Sequence, residues 1–267
     1  MHPHIHFEDA VLYGNLTYSM EPDSIVEKAN NYLAYNTDRG SFYIESDSLI
    51  ERDAFGPLPG TKQEIDSIAN ELSKNSISAI IYEGMNGVEE SFKSLSGRAP
   101  QILHIATHGF YLSEEKGSEK DYYTRWTSLT SGPMVRSGLA FSGAQLAWEG
   151  KQIPDHVDDG ILLSQEIANL DLSNTDLVIL SACETGLGEL SSDGVLGLQR
   201  GFKRAGVNTI IMSLWKVNDE ATAFLMQNFY VELLKGKSKR EAFSFAQKET
   251  KKIYKDPKFW AAFIMLD

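Results

Sequence analysis

The chain of 267 residues holds a single cysteine. A lone thiol excludes an intramolecular disulfide, so the fold calls for no oxidising compartment and a cytoplasmic setting is expected. Positive charge is scarce: 25 Lys and Arg stand against 37 Asp and Glu, a net charge of −12. Such a surface repels phosphate backbones, and no basic stripe offsets it, so no nucleic-acid partner is expected. No apolar run approaches the length of a membrane span, and residues 1–20 lack the basic-then-apolar order of a secretory signal, so no membrane partner is expected. The glycine-rich phosphate loops G-x-x-x-x-G-K-[ST] and G-x-G-x-x-G are missing. One cysteine and scattered histidines offer no zinc spacing, so neither metal nor cofactor is expected. Repeats and low-complexity stretches are missing too.

What is present is a strand–helix alternation. Three near-continuous apolar runs stand out: Ile102–Thr107, Leu177–Ala182 and Thr209–Trp215. Runs without polar alternation belong in a sheet covered on both faces. Val11–Gly14 and Ile77–Tyr82 read as further strands, and Phe259–Leu266 as a closing one. Between them lie helical patterns. Residues 24–35 suggest one helix. Thr61 and Glu64 form a capping box ahead of the stripe Ile65, Ile68, Ala69 and Leu72. Val88–Leu95 is a short helix. Asp193 is expected to cap a helix stopped by Gly206, Asn218 one stopped by Gly236, and Ser238 with Glu241 a third. The order predicts a mostly parallel sheet with right-handed crossovers in a three-layer α/β/α sandwich. Residues 1–10, with His2, His4 and His6, are expected to be a frayed terminus, and 11–267 one domain.

In open parallel sheets ligands bind at the carboxyl ends of the strands. Two of the buried runs end there in a chemical group, His108 and Cys183. An imidazole within reach of a thiol can take its proton, and the sulfur can then attack a carbonyl carbon. Gly109 follows His108, so its N–H can approach a substrate without a Cβ in the way, and the N–H groups of Gly109 and Cys183 are the candidates for an oxyanion hole. His104, inside its strand and four residues earlier, reads as a core histidine or as one that supports the site from behind. Ser181 lacks the G-x-S-x-G setting of a nucleophile. Taken singly, a strand-end cysteine or histidine is usually packing; the pairing of the two carries the functional reading.

The same stretches, Leu103–Phe110 and Leu180–Gly188, resemble the two signatures of CHAT domains, within the caspase–separase–gingipain group of cysteine peptidases. Further matches run in order: Leu58–Thr61 with Glu64-Ile65, Ser137–Ala144, Asp159–Leu162 with Glu166-Ile167, Gly194–Arg200, Ser213–Thr222 and Phe259–Phe263. The likeness extends from about Val11 to the C-terminus. It implies a caspase-like sandwich and an endopeptidase acting on protein or peptide substrates through a His108–Cys183 dyad. It implies that Trp215, with Lys216 and Asp219, borders the pocket for the substrate residue before the cut; Trp215 serves equally well as a packing aromatic. Asp193 and Glu184 are acidic neighbours of Cys183 that could meet a basic substrate residue, although loop carboxylates are more often simply solvated. Family domains begin further upstream, often after helical repeats, so the chain reads either as a fragment of a longer protein or as a naturally short one, and an activating upstream region or protein partner is expected. Some relatives of the fold depend on calcium, and no specific site for it is visible.

Two other functions fit the same residues: a non-catalytic effector module with a peptidase fold, and a small-molecule acyl hydrolase using the same dyad. Residues 111–137 and 185–193 flank the two chemical groups and read either as lids ordered by substrate, partner or self-cleavage, or as plain surface loops.

Overall fold

The computed structural model describes residues 7–32, 54–111, 133–181, 183–184, 192–215 and 217–267, with the backbone alone for Pro133, Cys183, Glu184 and 192–195. The strands are β1 (Asp9–Leu16), β2 (Ser78–Gly84), β3 (Ile102–Ile105), β4 (His108–Tyr111), β5 (Ser137–Ala140), β6 (Ile161–Leu163), β7 (Leu177–Leu180), β8 (Cys183–Glu184), β9 (Thr209–Ser213) and β10 (Phe263–Leu266). The helices are α1 (Pro22–Asn30), α2 (Pro59–Lys74), α3 (Glu89–Lys93), α4 (Gln145–Trp148), α5 (Ser164–Ile167), α6 (Ser192–Arg204), α7 (Asp219–Leu234), α8 (Lys239–Ile253) and α9 (Pro257–Trp260).

Six strands form a central sheet in the order β10-β9-β7-β3-β1-β2, parallel except for β10. Alternate residues of its strands feed two cores. On one face Ala10, Leu12, Ile102, Leu177, Ile179 and Ile211 pack against Ile65 and Leu72 of α2, Leu225 and Phe229 of α7 and Ala246 of α8. On the other face Val11, Tyr13, Leu103, Ile105, Val178 and Met212 pack against Phe92 of α3, Leu198 and Phe202 of α6 and the residues of a second sheet. Both faces are therefore covered, which is why these strands read as continuous apolar runs. The result is the expected three-layer α/β/α sandwich.

The second sheet, ordered β6-β5-β4-β8, carries the site and changes several boundaries. The expected strand Ile102–Thr107 ends at Ile105. After Ala106 and Thr107 the chain enters β4, so His108 opens a new strand rather than trailing an old one. β7 likewise ends at Leu180 before β8 opens at Cys183. Tyr111 and Ser137, expected in a loop, lie in strands, with a 3-10 turn at Pro133–Val135; residues 112–132 of that loop lie outside the described residues. The closing strand starts at Phe263, because Phe259 lies in α9. β1 extends to Asp9, and Phe7 before it is buried.

The capping expectations divide. Asn218 accepts from the Ala221 N–H, and Ser238 with Glu241 forms its box. Gly206 and Gly236 take positive φ just past their helices. The box at Thr61 and Glu64 does not form: α2 opens two residues earlier at Pro59, whose fixed φ and missing N–H suit the first turn. Thr61 instead receives the Asn15 N–H and donates to the Leu58 carbonyl. Glu64 turns into the interior. Gly60, next in the same turn, lets α2 approach α7 closely, because a Cβ there would collide with Asp219. Asp193, expected as a cap, lies inside the first turn of α6.

Candidate active site

Two neighbouring parallel strands cross together from the central sheet into the second. His104 faces Ile179 and Ile105 faces Leu180 in the first; His108 faces Cys183 and Gly109 faces Glu184 in the second. The register is unchanged across the step, because both chains use the same two-residue link. Ala106 N–H is held by the Tyr13 carbonyl at 2.8 Å and Ser181 N–H by the Ile105 carbonyl at 3.0 Å. Adjacent strands lie about 4.8 Å apart, so the backbones of His108 and Cys183 are immediate neighbours.

The His108 side chain is buried, and among the described residues it meets two aromatic rings and a backbone carbonyl. Its ring lies 4.7 Å from that of Tyr18 and 5.4 Å from that of Phe55, centroid to centroid. Nε2 lies 2.6 Å from the Gly56 carbonyl oxygen. A carbonyl only accepts, so Nε2 carries the proton, and in the neutral ring Nδ1 is then the basic nitrogen. Phe55 is wedged in turn: its ring meets Trp148 at 4.7 Å, and its N–H donates to Gln145 Oε1 at 2.9 Å. Thr107 donates to the Ala140 carbonyl at 2.5 Å, so the Tyr18 hydroxyl, 2.9 Å from Thr107 Oγ1, is the donor of that pair. Burial pushes the Tyr18 phenol up to about 12, which keeps it a neutral donor.

Gly109 sits in the ladder between Leu139 of β5 and Glu184 of β8. Asp219 is exposed at the start of α7. Trp215 is half-buried against the α2–α7–α8 core, with its indole N–H on the Lys258 carbonyl at 3.0 Å, so one edge of the ring is committed to packing. Lys216 and most of the expected flanking segment 185–193 lie outside the described residues, as do the side chains of Cys183, Glu184 and Asp193. Sequence reasoning did not find Tyr18, Phe55 or Gly56. Gly56 acts through its backbone carbonyl, which any residue type provides; the Phe55-Gly56-Pro57 punctuation was the one available signal.

A second missed feature fastens the small sheet. Lys93 of α3 is buried and bonds Glu89 at 2.7 Å, Asp158 at 3.0 Å and Glu166 at 2.9 Å. Glu90 accepts the Asp158 N–H, Asp159 the Ile161 N–H and Glu166 the Leu163 N–H, so the carboxylates grip both ends of β6. Burial works against the Lys93 charge, but the surrounding carboxylates outweigh it and raise its pKa. Burial, reinforced by Asp158, pushes Glu90 up to about 7, and burial also raises Glu89 and Glu166. Among the described residues no group of three or more His, Cys, Asp or Glu has the geometry to hold a metal ion, and no helix is long and apolar enough to cross a membrane.

The sheet order, the covered faces and the paired strand step define a caspase-like α/β fold. Comparison with known proteins agrees. A family profile described as CHAT domain matches residues 20–267, and the chain belongs to that family. Tetratricopeptide repeat protein 28 from human and from mouse is 24% identical to it over 233 residues, a match that covers 82% of this chain and 9% of each relative. The crystal structure of the Arg-specific cysteine proteinase gingipain R superposes with a TM-score of 0.50 at 11% identity, covering 96% of this chain and 45% of that one. That likeness is one of fold.

Proposed function

We propose that the domain formed by residues 11–267 is a cysteine endopeptidase acting on protein or peptide substrates through His108 and Cys183. The observation that carries this is the in-register pairing of those two residues, with the His108 Nε2–H anchored on the Gly56 carbonyl. In the proposed reaction the Cys183 thiol gives its proton to His108 Nδ1, and the thiolate sulfur attacks the scissile carbonyl carbon. The carbonyl electron pair moves to oxygen, where the N–H groups of Gly109 and Cys183 stabilise it. Collapse breaks the C–N bond, and the imidazolium returns its proton to the departing amine. Water, deprotonated by the neutral imidazole, then cleaves the thioester and restores the thiol.

Trp215, Lys216 and Asp219, with Glu184 and Asp193, are the residues proposed to border the substrate. The reaction calls for no cofactor and suits the cytoplasm, where a thiol stays reduced. The chain spans 9% of the length of its tetratricopeptide-repeat relatives. Control by a region or protein partner outside the chain is part of the proposal.

Incubation of wild type and Cys183→Ala with a peptide library tests the reading. Cleavage by wild type alone is expected. Equal cleavage by both removes the claim, and hydrolysis of small esters but of no peptide favours the acyl-hydrolase alternative. A Cys183 inert to iodoacetamide at neutral pH favours a non-catalytic effector.

A further inference from the structure

Glu64 is buried on α2, and both of its oxygens reach the two strands that carry the pair. Oε1 lies 3.0 Å from His104 Nε2, and Oε2 accepts from Ser181 Oγ at 3.1 Å. On the far side of the imidazole, the Tyr230 hydroxyl of α7 lies 3.3 Å from His104 Nδ1. One proton assignment satisfies every atom. Tyr230 donates to Nδ1, Nε2–H donates to Glu64, and Ser181 donates to the second oxygen. Burial, with the Glu64 carboxylate adding to it, holds the Tyr230 phenol well above its ordinary range, consistent with a neutral donor.

Ser181 is the first residue after β7 and stands two positions before Cys183. Its backbone N–H is already fixed on Ile105, and Glu64 fixes its side chain as well. His104 stands four positions before His108 on the partner strand. A single carboxylate thus grips both strands just ahead of the step that takes them into the second sheet. The face of α2 that carries it also supplies Ile65, Ile68 and Leu72 to the apolar core, where a buried carboxylate costs desolvation that an apolar side chain does not. Directed bonds to two strands give orientation that apolar packing does not.

We infer that Glu64 is a positioning residue that sets Cys183 against His108 by acting through Ser181 and His104. Its effect on turnover rests on the peptidase reading; its effect on the thiol does not. Because Cys183 is the one cysteine in the chain, alkylation by iodoacetamide reads that group alone. Wild type, Glu64→Gln, Ser181→Ala and the double variant are compared by melting temperature, by the pH profile of alkylation, and by kcat and KM on a peptide that wild type cleaves. In wild type the paired imidazole keeps the alkylation midpoint below that of a free cysteine, about 8.5. In each variant the midpoint moves toward that value. The rate at neutral pH and kcat both fall about tenfold or more, with KM unchanged. The double variant is no worse than the poorer single. A purely structural Glu64 would lower the melting temperature and leave the alkylation profile and kcat of the folded protein where they were; that result overturns the inference. If Glu64→Gln does not fold, Ser181→Ala, which loses one hydroxyl, decides by the same readouts. If wild type cleaves no peptide, the peptidase reading falls, and the alkylation profile alone decides on Glu64.

Discussion

His108 is held by a backbone carbonyl and two aromatic rings, so its orientation depends on packing as much as on polarity. Phe55 is the wedge between His108 and Trp148. Phe55→Ala is expected to cost about 3–5 kcal/mol, read as a lower denaturation midpoint in urea, and to reduce kcat by freeing the imidazole. Tyr18→Phe removes the donor to Thr107 and should cost about 1 kcal/mol in the same measurement. At this scale the pairing of Cys183 with His108 was legible because they are distinctive residue types at the ends of apolar runs. Their supports were not. Gly56 contributes only a carbonyl, and Glu64 stands three residues after a threonine, the spacing of a capping box, while its side chain goes inward to His104 and Ser181.

The small sheet carries both His108 and Cys183, and its attachment is ionic on one side and close-packed on the other. Lys93→Met would leave Glu89, Asp158 and Glu166 buried without their cation, at an expected cost of about 3–5 kcal/mol. The same cluster gives stability a pH dependence. Glu90 titrates near 7 in the folded chain against an ordinary value of 4.5, and Glu89 and Glu166 shift in the same direction. Between those limits the folded chain keeps protons that the unfolded chain has released, so unfolding free energy falls as pH rises. This contribution is complete below about pH 4.5 and is lost as pH passes about 7. The melting temperature should therefore fall from pH 5 to pH 8 at constant ionic strength, and Glu90→Gln should flatten that slope; an unchanged slope in the variant contradicts the assignment. On the packed side, a Cβ on Gly201 of α6 would meet the Ser164 carbonyl oxygen at 2.6 Å. Gly201→Ala should accordingly lift α6 from α5 and cost about 1–3 kcal/mol in a denaturant titration. None of this was visible in the sequence. β4, β5, β6 and β8 are two to four residues long and include His, Gly and Ser, so they give no periodic signal. Nothing in the sequence marks the acids at 89, 90, 158 and 166 as buried; their partner Lys93 is 65 and 73 residues from the last two.

Across the whole molecule, the central sheet was readable because a parallel sheet buried on both faces demands continuous apolar strands, and Ile102–Ile105, Leu177–Leu180 and Thr209–Ser213 supply them. The second sheet hangs on that frame by two short links of equal length, and this equality carries one strand register through to His108 and Cys183. The profile match shows the CHAT family, and the likeness to gingipain R is one of the caspase-like fold. The central claim is that imidazole and thiol act as one unit. The most direct test is the rate of Cys183 alkylation by iodoacetamide at neutral pH in wild type and in His108→Ala. Loss of the imidazole is expected to slow the reaction at least about tenfold, as the thiol returns to its ordinary pKa. Equal rates in the two folded proteins would contradict it.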